Sequence, residues 1–239
     1  MMNKKSVAVI AIVLFVLIGC FFLPSTVAGI MDKQTLGKLI MTDSSSISYE
    51  AAPDLALTAR LKLISSSSSE SAALKNGKNM DRAAALRKVI TELKRFDLAG
   101  EMGFIFDNCA AEEVQVGFVI NTEDPSVNMI IWAFQLRDID GRQIMVIIDD
   151  ETGVILQMIY RHGDAPPKLH PDGIIDVADM EKTANLLADM MTDYYGCPVN
   201  IKEYEQTGNL GYYNAEILSD GVLIPLYGIV RESGFTINE

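Results

Sequence analysis

Between residues 114 and 160 the chain alternates apolar and polar positions in short runs joined by very short connections, and this pattern restricts what it can fold into. VQVGFVI at 114–120, VNMIIWAFQLRD at 127–138, RQIMVII at 142–148 and VILQMIY at 154–160 each read as a strand, and the second puts Trp132, Phe134 and Leu136 on one side. FIF at 104–106 is a further short candidate. Asp140-Gly141 and Asp149–Gly153 are too short for a crossover, so neighbouring strands must run antiparallel.

Helical periods precede two such meanders. In residues 81–100, Asp81 is placed as an N-cap, Ala85, Leu86, Val89, Ile90 and Leu93 share one face, and Gly100 is a stop. In residues 177–196, Met180, Ala184, Leu187, Met191 and Tyr195 form a stripe that ends at Gly196. Strands are expected after it at about 199–205, 212–218 and 222–230. Asp140-Gly141 in the first unit is matched by Asp220-Gly221 in the second, and Thr152-Gly153 by Ser233-Gly234. The spacing predicts an α+β chain: an N-terminal transmembrane helix followed by two units, each one helix packed on a small antiparallel meander sheet.

The expected boundaries are 1–30 for a membrane anchor or signal segment, 31–80 for a Ser-rich stalk, 81–163 for the first unit, 164–176 for a Pro-rich linker and 177–239 for the second unit. SSSIS at 44–48 and SSSSSES at 65–71 are polar tracts that bury little apolar surface. Residues 7–23, VAVIAIVLFVLIGCFFL, approach the ~20 apolar residues needed to cross a hydrocarbon core. Lys4 and Lys5 before them hold that end in the cytoplasm and place the remainder of the chain outside. Three fates are open for the segment: a retained single-pass anchor in the cell membrane, a signal cut after Ala28 to give a secreted protein, or lipidation at Cys20, where Leu17-Ile18-Gly19-Cys20 resembles a bacterial lipobox. The formal net charge of −12 excludes a nucleic-acid binder, since phosphate is held chiefly by Lys and Arg.

The helix, the meander, Trp132 early in a long strand and the Asp149-Asp150-Glu151-Thr152-Gly153 hairpin followed by Val154, Ile155 and Leu156 resemble the PepSY family of small extracytoplasmic domains. The resemblance covers residues 81–161, and more loosely 177–239, where Arg231-Glu232-Ser233-Gly234 departs from the Asp-x-x-Thr-Gly pattern. It implies a binding or regulatory role, since such domains occur in propeptides of secreted metalloproteases and in membrane-anchored bacterial proteins.

Asp149 and Asp150 are candidates for holding a hard cation, but adjacent strand residues point to opposite faces and the spacing is not that of a calcium loop. Turn chemistry accounts for them: an Asp bonds its own backbone and Gly153 supplies positive φ. His162 and His170 could join Asp164 and Asp172 at a metal, against the simpler assignment of this Pro-rich stretch to a linker. Cys109 and Cys197 allow one disulfide in an oxidising compartment. Tyr194, Tyr195, Tyr212 and Tyr213 offer either a partner surface or a small core. No nucleophile elbow, phosphate loop or zincin motif is present, and no cofactor is expected. The expected function is therefore non-catalytic: a membrane-tethered extracytoplasmic module that binds or regulates a protein partner in the cell envelope. The alternatives are a structural envelope assembly protein and, less favoured, a metal-dependent hydrolase.

Overall fold

The computed structural model describes residues 55–97, 100, 102–161, 180–208, 210–219, 221–231 and 233–238. In chain order these form α1 (Leu57–Ser65), β1 (Ser69–Ala73), α2 (Arg82–Phe96), β2 (Ala110–Asn121), β3 (Asn128–Arg137), β4 (Gln143–Asp149), β5 (Ile155–Arg161), α3 (Met180–Tyr195), β6 (Val199–Thr207), β7 (Leu210–Ser219), β8 (Val222–Arg231) and β9 (Gly234–Ile237).

The local signals explain most of these elements. Asp81 caps α2 by accepting from the Ala84 N–H at 2.7 Å, and Ala85, Val89 and Leu93 are buried on one side with Phe96. In α3 the buried stripe is Met180, Ala184, Leu187, Met191 and Tyr194. Along β3, Ile130, Trp132, Phe134 and Leu136 are buried while Ile131, Ala133 and Gln135 are less so, as alternation requires. The 104–106 run is not a strand; Phe104 is buried outside the sheet, and the Ile105 N–H is taken by the Asp138 carboxylate.

Two expectations are corrected. The two meanders do not build separate small sheets: among the described residues nine strands form one antiparallel sheet in the order β1-β2-β3-β4-β5-β9-β8-β7-β6, and with only three helices beside them the fold is predominantly β rather than α+β. The cause is β9. Tyr160↔Phe235 and Met158↔Ile237 pair it with β5, while Val230↔Phe235 pairs it with β8, so the last strand splices the meanders edge to edge. Nor is an N-terminal transmembrane helix found: no helix among the described residues is long and apolar enough to cross a membrane. Residues 7–23, for which that helix was expected, lie outside the described residues.

The serine tract also has a place in the fold. Ser65 ends α1, and Ser69–Ala73 form β1, an edge strand paired with β2 from Ser69↔Asn121 to Ala73↔Gly117. Small polar side chains suit an edge, where one side of the backbone faces solvent.

Because β9 has only four residues, β5 and β8 part company beyond Ile237, and α1 packs against both of them there. Pro225 sits in this stretch of β8, where β9 pairs only with Val230 and Arg231, so its missing N–H breaks no bond to that strand. β5 compensates in another way. Leu156 is skipped in the register, because Ile147 pairs with Gln157 and Ile148 with Ile155. The Ile155 N–H donates to the Tyr194 hydroxyl at 2.9 Å, the Tyr195 hydroxyl donates to the Ile155 carbonyl at 2.9 Å, and Asn238 Nδ2 donates to the Leu156 carbonyl at 2.9 Å. Side chains thus supply the bonds that a longer β9 would have made.

α3 lies over β6, β7 and β8, and the side chains beneath it leave no slack. Gly228 is paired with Tyr213, and a Cβ added to it would fall 2.1 Å from the Tyr213 ring. Gly228→Ala is expected to cost about 1–3 kcal/mol through overpacking, read as a lowered midpoint in urea, whereas Gly117→Ala, whose added Cβ meets nothing closer than 3.6 Å, should cost less.

Candidate functional site

The Asp149–Gly153 turn is where the sequence concentrates acid, and the structure uses every one of these side chains internally. Asp149 and Asp150 are each 1% exposed and diverge to opposite sides of the sheet. On one side, Arg60 of α1 reaches Asp149 Oδ1 at 2.5 Å and Glu151 at 2.6 Å, and its Nε donates to the Leu55 carbonyl. The other Asp149 oxygen accepts from both the N–H and the hydroxyl of Thr152 at 2.7 Å, which closes the turn. The Gly153 N–H returns to the Asp149 carbonyl at 2.8 Å, with φ at +76° and the Lys88 stem pressed against its α-carbon.

On the other side, Asp150 organises a loop. Its carboxylate accepts from the backbone N–H groups of Lys78, Asn79 and Met80, from Asn79 Nδ2, and from Trp132 Nε1 at 2.6 Å. Gly77 is required at this point, since a Cβ there would lie 2.2 Å from Asp150 Oδ1. The two carboxylates fasten α1 and the 77–80 loop to the sheet. Their oxygens are spent on donors, which leaves them poorly placed to ligate a cation or to move a proton.

Two further buried polar groups tie elements together. Tyr194 of α3 donates its hydroxyl to Glu92 of α2 at 2.8 Å while accepting from Ile155 of β5, and Lys88 and Arg95 flank the same carboxylate. Burial, reinforced by Glu92 and against the Ile155 bond, pushes the Tyr194 phenol well above its ordinary range, so it remains a donor. Between β3 and β4, Asp138 accepts from the N–H groups of Ile105, Asp140 and Arg142 and from Arg142 Nη1 at 2.8 Å. Burial alone would raise the Asp138 pKa, but these donors and the Arg142 charge outweigh it and hold the group below its ordinary 3.8.

The other candidates are dispersed. Tyr194 and Tyr213 are buried, the latter donating to the Thr236 carbonyl at 2.8 Å, and Tyr195 is half-buried, so of the four tyrosines only Tyr212 is an exposed surface group. Cys109 and Cys197 are both half-buried and not bridged, and burial pushes the Cys109 thiol up. Among the described residues no group of three or more His, Cys, Asp or Glu is arranged to hold a metal. Cys20, His162 and His170 lie outside the described residues.

Exposed apolar side chains gather instead on the sheet face turned away from α3. Leu218 pairs with Leu223, Asn214 with Tyr227 and Tyr212 with Ile229, and Leu223, Tyr227 and Tyr212 are 58%, 47% and 43% exposed. On the same face of β3–β5, Ala133, Met145, Ile147 and Ile159 floor a shallow hollow bordered by Glu113, Gln115, Gln135 and Gln157. The sequence signal for this surface was the apolar residues at the outward-alternating positions of β4 and β8.

Asp150→Ala strands three backbone donors and the Trp132 indole, and is expected to cost about 3 kcal/mol or more in urea unfolding, since each buried donor left unsatisfied costs roughly 1–3 kcal/mol. The depressed Asp138 pKa makes a contribution that is present above its unfolded value and lost as pH falls through the folded value. Asp138→Asn should therefore lower stability at pH 7 yet flatten its decline below about pH 4 in a pH series of thermal melts. No protein-family model matches the chain, and neither the curated proteins nor the solved structures include one detectably similar to it.

Proposed function

We propose that this protein is a non-catalytic, extracytoplasmic binding module that holds or regulates a protein partner through the open face of its sheet. The observation that carries this is the division of labour among side chains. The carboxylates of Asp149, Asp150, Asp138 and Glu92, which would be the natural acids and bases, are buried and engaged by Arg60, Trp132, Arg142 and Tyr194. The outward face of β7 and β8 carries Leu218, Leu223, Tyr212 and Tyr227 in contact with solvent instead. Aromatic and aliphatic side chains grouped this way suit the desolvated centre of an interface.

Two other features favour the same function. Lys4 and Lys5 ahead of the apolar residues 7–23 favour placing the sheet beyond the cytoplasm. The likeness of Asp149, Thr152 and Gly153 to the PepSY hairpin points towards a binding role, because that is what the resemblance implies. Assembly from copies of this chain alone is less favoured, since each copy brings a formal charge of −12.

Photo-crosslinking in intact cells separates these outcomes. A photoreactive residue in place of Tyr227 or Leu223 should yield a single heterologous protein adduct that is absent when the probe replaces Arg87, exposed on α2. Adducts of the chain with itself would support the assembly alternative, and equal adducts from all three positions would defeat both.

A further inference from the structure

We infer that the segment docking on this face is a polypeptide with an apolar centre and a Lys- or Arg-rich end that lies over β6. The inference rests on the binding-module function proposed above and assigns the chemistry of the partner. Strand register carries it, together with one side-chain hydrogen bond, because they align a row across this face whose two ends, Met145 and Tyr212, are exposed. Met145 is paired with Ile159 and Ile159 with Thr236; the Ile229 N–H bonds the Thr236 hydroxyl, Ile229 is paired with Tyr212, and Tyr212 with Glu205. The row is thus apolar from β4 to β7 except at Thr236, which is buried with its hydroxyl engaged, and it ends on a carboxylate.

The next row repeats the ending: Tyr227 is paired with Asn214, and Asn214 with Glu203, whose carboxylate accepts from Asn214 Nδ2 at 2.9 Å. The third carboxylate nearby, Glu216, already has a cation, Lys202 at 3.1 Å. Glu203 and Glu205 therefore form an acidic margin beside the exposed Tyr212, with the exposed Tyr227 one strand further on. An ammonium or guanidinium group placed there meets two carboxylates next to an aromatic side chain, a combination that favours cations and disfavours anions. The protein's overall charge attracts the same partner from a distance.

The size of the row bounds the occupant. From β4 to β7 there are four strand spacings, about 19 Å at the usual ~4.8 Å each, which a helix of roughly 13 residues spans. An occupant of this length would cover the Met145 hollow with its apolar part and bring its end to Glu205.

Two fluorescently labelled peptides of roughly 16 residues, sized from that span, test this against the full-length protein in mild detergent, with empty micelles subtracted. Both have a Leu/Val/Ala centre; one ends in three lysines and its twin in three glutamates. By fluorescence anisotropy the lysine peptide is expected to bind at least about tenfold more tightly than its twin. The difference should vanish in the doubly substituted Glu203→Lys, Glu205→Lys protein, and Met145→Asp should weaken the lysine peptide while leaving the circular dichroism unchanged. Equal binding of the twins, no binding of either, or a difference that survives the double substitution overturns the inference. If Tyr227 still crosslinks to a partner in cells after such a result, the binding module stands and only its assigned partner chemistry falls.

Discussion

Four residues, Gly234–Ile237, hydrogen-bond to strands that are more than sixty positions apart in the chain, and the architecture depends on that double pairing. Without β9, the two meanders would each present an unpaired edge, β5 on one and β8 on the other, and each would be left with a narrow sheet of its own. With it, their inward faces merge into one core that runs from Phe118 through Tyr160 and Phe235 to Ile217. The shortness of β9 is equally consequential. It leaves the space that α1 occupies and obliges Tyr194, Tyr195 and Asn238 to complete the hydrogen bonding of β5.

The fastening of α1 completes this arrangement. An isolated nine-residue helix is marginal in water, and α1 has no side-chain cap at its N-terminus. It is held by Leu61 and Leu63, both buried, and by Arg60 on Asp149. Asp150 holds the 77–80 loop. A turn of five residues therefore performs two jobs: it reverses the chain between β4 and β5, and it offers one carboxylate to each side of the sheet.

How much of this was legible depended on whether the signal was local. Asp81 as a cap, the alternation around Trp132 and the turn at Asp149–Gly153 are encoded within a few residues, and each is readable from spacing alone. The joining of the meanders is not local: GFTI is a short apolar tail until it is known to lie between Tyr160 and Val230. β1 was hidden for a related reason, because Ser69–Ala73 has no apolar alternation and becomes a strand by pairing with β2. The tyrosines show the limit for function. Tyr212 and Tyr213 are equivalent by composition, yet opposite pleats send one to solvent and the other to the buried Thr236 carbonyl. Likewise, the acidity of residues 149–151 was visible, but its partners, Arg60 and the 77–80 loop, are about seventy to ninety positions away.

The position of β9 also sets a schedule. The strand that joins the sheet follows both strands it joins in the chain, so the two meanders cannot be spliced edge to edge until β9 has been made. The free edge of β5 is during that interval a template for any extended segment nearby, including β9 of a neighbouring chain. Closing it joins residues 161 and 234, a wider separation in the chain than any other strand pairing of this sheet. The single sheet therefore depends on β9, and crowding of newly made chains would favour exchange of that strand between molecules.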